Sequence, residues 1–257
     1  MGTTATHPFL DTILPIAFAH RGGASDNPEN TMPAFQHAID SGYRYLETDV
    51  HATLDGVLLA FHDNNLQRTC GVPGRISDLT YDQVRSVRVA GREPIPQMAE
   101  LFSTWPEARF NIDCKADSAV QPLIDLLTAT HSLNRVCVGS FSDNRLRQLR
   151  NHFGTALCSS LGPKEVARLR LRRWLRSRPQ FPGVHAAQIP LKQGPLTITD
   201  RALVEAAHDV GLQVHVWTID EPSEMEHLLD IGVDGIMTDR LSVLRVVLET
   251  RGLWSNL

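Results

Sequence analysis

Short apolar runs alternate with longer amphipathic segments along almost the whole chain. The amphipathic segments repeat apolar side chains at helical spacing, and the apolar runs are short enough to be buried strands. We predict helices at Thr31–Ser41, Ser118–Thr130, Asp143–Asn151, Asp200–Val210 and Glu221–Ile231. We predict strands at Ile16–His20, Tyr45–Val50, Val57–His62, Phe110–Lys115, Arg135–Phe141, Thr155–Leu161, His185–Leu191, Gln213–Ile219 and Gly235–Thr238.

Strand followed by helix, repeated along a chain, predicts a parallel sheet. About eight such units in a chain of this length predict an α/β fold, a single (β/α)8 TIM barrel, rather than an open doubly wound sheet. One barrel domain is therefore expected over residues 1–257. The repeat is interrupted after the second strand unit, between about residues 64 and 97, where Gly and Pro replace the helical pattern. This insert is expected to cap one edge of the barrel mouth.

Composition narrows the class of protein. The hydrophobic content of 42% and charged content of 21% are ordinary for a soluble domain, and a net charge of -4 gives no indication of a nucleic-acid partner. The four cysteines are scattered, which favours reduced thiols. The chain lacks both a long apolar run and the basic start of a signal peptide. We expect a cytoplasmic protein, at most peripheral at a membrane; the pattern does not indicate an oligomeric state.

Charged and polar residues lie at the carboxyl ends of several predicted strands, where barrel enzymes place their chemistry. Glu47 and Asp49 are two positions apart in one strand, so both point to the same face, as do Asp113 and Lys115 in another. Charges that point into a barrel are costly unless they bind something. The predicted site comprises His20, Arg21, Glu47, Asp49, His62, Asp113 and Lys115.

The three carboxylates would repel one another at one mouth, and a divalent cation would relieve that repulsion. Oxygen-only ligands favour Mg²⁺ or Ca²⁺, with Mn²⁺ also possible, over zinc. Arg21 and Lys115 would place positive charge around a phosphate, and His20 and His62 suit acid/base work near neutral pH. From spacing alone, an ordinary ion-pair network of the same side chains is an equally good interpretation.

An ordered set of short motifs resembles the signature of the glycerophosphodiester phosphodiesterase family. The motifs are His20-Arg21-Gly22, Pro28-Glu29-Asn30-Thr31, Glu47-x-Asp49, Asp55-Gly56, His62-Asp63, Arg68-Thr69, Pro94-Ile95-Pro96, Asp113-x-Lys115, Val216-Trp217-Thr218 and Asp234-Gly235-Ile236-Met237-Thr238-Asp239. The resemblance implies that His20 and His62 are the acid/base pair and that Glu47 and Asp49 bind the metal. It further implies that Arg21 and Lys115 hold the phosphate and that Trp217 lines the pocket for the glycerol or headgroup end.

One position departs from the commonest family pattern. Asp113 stands where many members have Glu, and this shorter carboxylate would change the metal distance or its hydration. The form Asn-Ile-Asp-x-Lys is closer to the lysophospholipase D branch of the family. A basic stretch, Lys164–Arg178, is interleaved with leucines and a tryptophan, a pattern typical of a solvated helix face and also compatible with weak contact with an anionic lipid surface.

The expected function is metal-dependent cleavage of a phosphodiester, releasing an alcohol such as choline from a glycerophosphodiester or a single-chain lysophospholipid. Attack by the neighbouring glycerol hydroxyl would give a cyclic phosphate, whereas attack by water would not, and both routes stay open. Two rival functions are a sphingomyelinase D-like phospholipase and a non-catalytic phosphate-binding barrel. The missing signal peptide argues against the first. Retention of both histidines with all three carboxylates argues against the second.

Overall fold

The computed structural model describes residues 7–172 and 179–254. Its strands, in chain order, are β1 Ile16–Ala19, β2 Tyr45–Ala52, β3 Leu58–Ala60, β4 Arg88–Val89, β5 Glu93–Pro94, β6 Arg109–Cys114, β7 Val136–Gly139, β8 Cys158–Ser159, β9 Ala186–Pro190, β10 Lys192–Gln193, β11 Leu196–Thr197, β12 Gln213–Trp217 and β13 Gly235–Thr238. Its α-helices are α1 Met32–Asp40, α2 Gln67–Cys70, α3 Tyr81–Val84, α4 Met98–Thr104, α5 Val120–Thr130, α6 Asp143–Phe153, α7 Pro163–Arg170, α8 Arg201–His208, α9 Pro222–Ile231 and α10 Leu241–Thr250.

The predicted helices are present with bounds within two residues of those expected. Their ends follow from local chemistry. Asp200 begins α8, because its side chain accepts a hydrogen bond from the Leu203 N–H at 2.9 Å. Gly232 ends α9 in the left-handed region, at φ 89°. Within the described ranges, no helix is long and apolar enough to cross a membrane.

The barrel wall consists of parallel strands hydrogen-bonded in the order β8-β7-β6-β2-β1-β13-β12-β9. Among the residues that the structure describes, the ring closes between β8 and β9 through one bridge, Ser160 to Ala186. Two backbone hydrogen bonds flank that bridge, each 2.9 Å long: the Leu161 N–H donates to the Ala186 oxygen, and the His185 N–H donates to the Ser159 oxygen. The predicted (β/α)8 barrel is confirmed.

One predicted strand lies outside the barrel wall. The run Val57–His62 forms β3, which pairs antiparallel with the end of β2. An apolar run indicates burial but not chain direction, so the sequence could not distinguish a wall strand from a returning hairpin arm. Beyond β3, the Phe61 N–H donates to the Asp49 carbonyl oxygen at 2.8 Å. The hairpin therefore extends past the mouth and returns to it, which brings His62 beside the end of β2.

The insert at about residues 64–97 folds into α2, α3 and the short β4–β5 hairpin. It packs on β3 through a small apolar cluster that is separate from the main core; its buried members are Leu59, Phe61, Leu66, Ile76, Val84, Val89 and Ile95. The insert is thereby fixed against β3, which ends two residues before His62.

The floor of the barrel, at the amino ends of the strands, is closed by the chain before β1. Phe9 and Leu10 are buried there together with Phe18. The Tyr45 hydroxyl and the Arg109 guanidinium donate to the Phe9 carbonyl oxygen at 2.8 and 3.0 Å. The main core lies between the barrel and the helices. Packing thus fills the floor and the wall, and polar groups concentrate at the mouth.

A buried histidine inside the barrel gives a first prediction. His215 on β12 is fully buried, 4.9 Å from Phe18 between ring centroids, and burial lowers its pKa to about 3. The unfolded chain binds a proton at the ordinary pKa of 6.5. Between pH 6.5 and about 3 the unfolded state therefore holds the extra proton, so the free energy of unfolding falls as pH falls. We expect this residue to remove about 2–3 kcal/mol between pH of about 7 and about 4.5.

Urea unfolding at those two pH values checks this expectation. His215→Gln should lose less stability on acidification than the unsubstituted protein. His227→Gln, on the exposed face of α9, is the matched control and should keep the full acid sensitivity. Equal acid losses in all three proteins would show that the buried ring does not titrate as proposed.

Candidate active site

The turn after β1 places the first predicted site residues. Arg21 adopts the left-handed conformation, at φ 51°, and its backbone N–H donates to Glu47 Oε2 at 3.0 Å. Gly22 follows at φ 83°, and a Cβ there would lie 2.9 Å from Ala34 in α1. Only glycine fits this position without displacing the helix. The tight turn therefore fixes the Arg21 backbone against the Glu47 carboxylate on β2.

The predicted carboxylates meet on two neighbouring strands. Glu47 and Asp49 are buried on β2, and Asp113 lies directly opposite Asp49 on β6. The Lys115 ammonium lies 2.9 Å from Asp49 Oδ1 and 2.7 Å from Asp113 Oδ2. Arg21 Nε lies 3.2 Å from Asp49 Oδ2. The structure thus brings these five predicted side chains together.

Burial and neighbouring charges shift the pKa values of the three carboxyl groups in different directions. Burial, with the charge of Asp49 second, raises the pKa of Glu47 to about 7. Burial also raises the pKa of Asp113, although Lys115 opposes the shift. At Asp49 burial is outweighed by Lys115 and Arg21, which hold its pKa below the ordinary value. The positive charge near Glu47 and Asp113 therefore does not offset the cost of burying their ionised forms.

The same carboxylates are the candidate ligands of a divalent cation. Among the residues that the structure describes, no three His, Cys, Asp or Glu side chains are disposed to hold a metal ion as they stand. Lys115 lies between two of the predicted ligands. However, Asp113 Oδ1 is buried without a hydrogen-bond partner. The candidate ligand atoms of the three carboxylates are all oxygens. The donor chemistry fits a hard cation, which would compete with Lys115 for Asp49 and Asp113.

Each predicted catalytic histidine is held by an aspartate. The His20 Nδ1–H donates to Asp239 Oδ1 at 2.8 Å, and the His62 Nδ1–H donates to Asp63 Oδ1 at 2.6 Å. A carboxylate accepts but does not donate, so both rings carry the proton on Nδ1 and leave Nε2 for another partner. Burial lowers the pKa of His20, but Glu47 and Asp239 outweigh it and raise the pKa overall. Paired histidines of this kind suit proton transfer.

Two aromatic rings border the charged cluster. Trp217, at the end of β12, packs edge-to-face against Phe141, with 5.6 Å between ring centroids. The Lys115 ammonium lies 5.5 Å from the centroid of the Phe141 ring, and this ring is 64% exposed. Trp217 therefore lies within one side chain of the predicted phosphate-binding lysine, and Phe141 offers apolar surface beside it.

Sequence reasoning missed the roles of several supporting residues. Glu29 accepts a hydrogen bond from Arg21 Nη1 at 3.0 Å, and Asn30 donates to Asp49 Oδ2 at 3.2 Å. Both belong to motifs that resemble the family signature, as do Asp63, Arg68 and Asp239, but the sequence predicted no role for any of these five residues. Polar residues in a short loop after a strand were the available signal. Phe141 carried no signal, because its exposure depends on the fold.

The predicted lipid-contact stretch, Lys164–Arg178, is only partly described, since residues 173–178 lie outside the described ranges. Arg170 pairs with Asp200 at 2.6 Å, and Arg172 pairs with Asp209 at 2.9 Å. These arginines contact the residues that flank α8. The lipid-surface role of this stretch stays a prediction.

Comparison with known proteins places these residues in a wider context. Residues 20–243 match the glycerophosphoryl diester phosphodiesterase family. The chain is 39% identical to a Mycobacterium tuberculosis protein named probable glycerophosphodiester phosphodiesterase 2, over 99% of this chain and 98% of that one. It is 30% identical to the mouse lysophospholipase D GDPD1, over 86% of this chain and 82% of that one. An Oleispira antarctica phosphodiesterase, solved with the product sn-glycerol-3-phosphate, shares the fold with a TM-score of 0.76 and 20% identity, over 92% of this chain and 97% of that one.

Proposed function

Because this chain belongs to the glycerophosphoryl diester phosphodiesterase family and is a phosphoric diester hydrolase, we propose that it hydrolyses glycerophosphodiesters with His20 and His62 as the acid/base pair. The observation that carries this proposal is the arrangement of the two rings. Each has its Nδ1 held by an aspartate. The same mouth also holds buried carboxylates and two positively charged side chains, Lys115 and Arg21. A histidine in that tautomer has Nε2 available to accept a proton from an attacking group or, once protonated, to donate one to a leaving alcohol.

The remaining polar groups suit a phosphate. Arg21 presents a planar set of donors, and Lys115 presents a point charge whose pKa is raised, despite burial, by Asp113 and Asp49. Glu47, Asp49 and Asp113 would hold one divalent cation: Mg²⁺, Ca²⁺ or Mn²⁺. That cation would neutralise charge that builds up on the phosphoryl oxygens. A product of this chemistry, sn-glycerol-3-phosphate, is the molecule bound by the Oleispira antarctica phosphodiesterase of the same fold.

We further propose that lysophospholipids are among the substrates. The Asn-Ile-Asp-x-Lys sequence and the 30% identity with a mouse lysophospholipase D support this. The exposed ring of Phe141 supports it as well, because an acyl chain needs apolar surface near the phosphate site. The 39% identity with a protein named as a glycerophosphodiester phosphodiesterase favours small deacylated diesters as the alternative.

Choline release from glycerophosphocholine and from lysophosphatidylcholine, measured side by side, tests both proposals. We expect release from both. Phe141→Ala should lower kcat/KM for the lipid by about tenfold relative to the small diester, because an apolar contact of about 1.5 kcal/mol is lost. The matched control is Val246→Ala, which removes an exposed apolar side chain from the outer helix α10.

The outcomes separate the two proposals. Release from the small diester alone would refute the lysophospholipid proposal and retain the phosphodiesterase proposal. Release from neither would refute the choline headgroup. In that case the same assay with glycerophosphoethanolamine decides whether the substrate class itself is wrong.

A further inference from the structure

One guanidinium on the insert connects two parts of the proposed active site. Arg68 lies on α2, and its side chain is about half exposed. Its Nη1 and Nη2 donate to the two carboxylate oxygens of Glu29, at 2.8 and 2.7 Å. Its Nε and Nη2 donate to the two oxygens of Asp63, at 2.6 and 2.9 Å. Arg68 therefore binds both acids in bidentate geometry.

Each of those acids has a second partner inside the site. Glu29 Oε1 also accepts from Arg21 Nη1 at 3.0 Å. Asp63 Oδ1 also accepts from the His62 Nδ1–H at 2.6 Å. The chain of contacts thus runs from the arginine proposed to bind phosphate, through Arg68, to one of the two proposed acid/base histidines.

A surface ion pair usually contributes little, because water screens it and long side chains lose entropy. This network differs in two ways. Glu29 and Asp63 are largely buried, with side chains 16% and 17% exposed. All the contacts of Arg68 with them use the rigid fork of one guanidinium, which fixes the two acids relative to each other. Without that cation two negative groups would face each other, and each would be free to turn away from its partner in the site.

We propose that Arg68 is a positioning residue that couples the placement of Arg21 to the orientation of His62. This inference rests on the proposed function, since it assigns Arg21 to phosphate binding and His62 to proton transfer. It also makes the insert a working part of the active site, because α2 carries the connecting side chain. Lysine cannot replace the guanidinium fully, since an ammonium lacks the planar fork that reaches both acids.

Arg68→Gln should change both kinetic parameters. Release of Arg21 raises KM, and loss of the fixed His62 orientation lowers kcat, each by about tenfold, as expected when supporting contacts of an active site are removed. Arg68→Lys should recover less than half of the loss on a logarithmic scale. Arg85→Gln, directly after α3 of the same insert and with an exposed partner in Asp82, is the matched control and should leave both parameters unchanged.

Two readouts distinguish positioning from a general effect on the fold. In a double-mutant cycle, Arg68→Gln combined with Asp63→Asn should lower kcat much less than the product of the single effects, because both act through His62. Nitrogen-15 NMR of the histidine rings needs no turnover. In the unsubstituted protein the His62 ring should show a single Nδ1–H tautomer, and in Arg68→Gln a mixture of tautomers.

The NMR result keeps this inference separate from the proposed function. A tautomer mixture in Arg68→Gln, at an unchanged melting temperature, supports the positioning role even if the choice of substrate proves wrong. An unchanged tautomer overturns it, even if the enzyme hydrolyses glycerophosphodiesters. Full recovery of kcat and KM by Arg68→Lys also overturns it, because charge alone would then account for the effect.

Discussion

Replacing His20 with alanine is expected to lower kcat by a factor of about 10²–10⁴, the usual contribution of a positioned acid or base. The His20 ring is held by Asp239 on one nitrogen, and its other nitrogen lies 3.8 Å from Glu47 Oε2 at the mouth. Removal of the ring takes away the proton carrier and leaves the phosphate-binding groups in place. Steady-state kinetics with glycerophosphocholine measure the loss, and calorimetry with inorganic phosphate measures retained binding.

Two further variants distinguish loss of catalysis from loss of folding. His20→Asn retains a donor for Asp239 and should be as inactive as the alanine variant. His37→Ala removes a histidine from the outer face of α1, where it pairs with the exposed Asp26, and should retain full activity. Activity within tenfold of the unsubstituted protein in both His20 variants, with unchanged melting temperatures, would exclude this residue as the acid or base.

Removal of divalent cations is expected to have the second large effect. After treatment with EDTA, activity should fall by at least about 10²-fold, and added Mg²⁺, Ca²⁺ or Mn²⁺ should restore it. The physical reason is the crowding of Glu47, Asp49 and Asp113, whose charges Lys115 and Arg21 only partly balance. Stoichiometry of bound metal, measured by mass spectrometry, should be one ion per chain.

Substitutions of Asp113, the shorter acid, test whether this carboxylate binds the metal. Asp113→Glu should shift the metal concentration needed for half-maximal activity, whereas Asp113→Asn should raise it strongly. Asp117→Asn, an exposed acid that pairs with Arg145, is the matched control and should not change it. Full activity in protein shown to be free of metal would refute the cation proposal, and the ion-pair network would then be the better interpretation of these acids.

The sequence predicted the barrel and most side chains of the mouth because both follow from local pattern. Apolar strand runs, helix-capping residues and acids spaced two apart can each be recognised from a few consecutive residues. The direction of β3 was not readable, since an apolar run such as Leu58–Ala60 is the same in either direction. Nor were the partners of Glu29, because Arg68 lies 39 positions away and only the folded insert brings the two together. Local motifs thus identified the polar groups, and tertiary contacts decided which group supports which.

The closure between β8 and β9 has a consequence for the motions of the barrel. The one bridge found there in the described part of the chain, Ser160 to Ala186, lies across the ring from β1 and β2. Glu47 and Asp49 lie on β2, and β1 leads into Arg21. Thermal breathing of a sheet begins where the fewest hydrogen bonds must break. The wall can therefore loosen on the far side while the longer pairing of β2 with β6 stays intact. Amide hydrogens of this seam should exchange with solvent earlier than those of β2, so the barrel can flex without disturbing its reactive side.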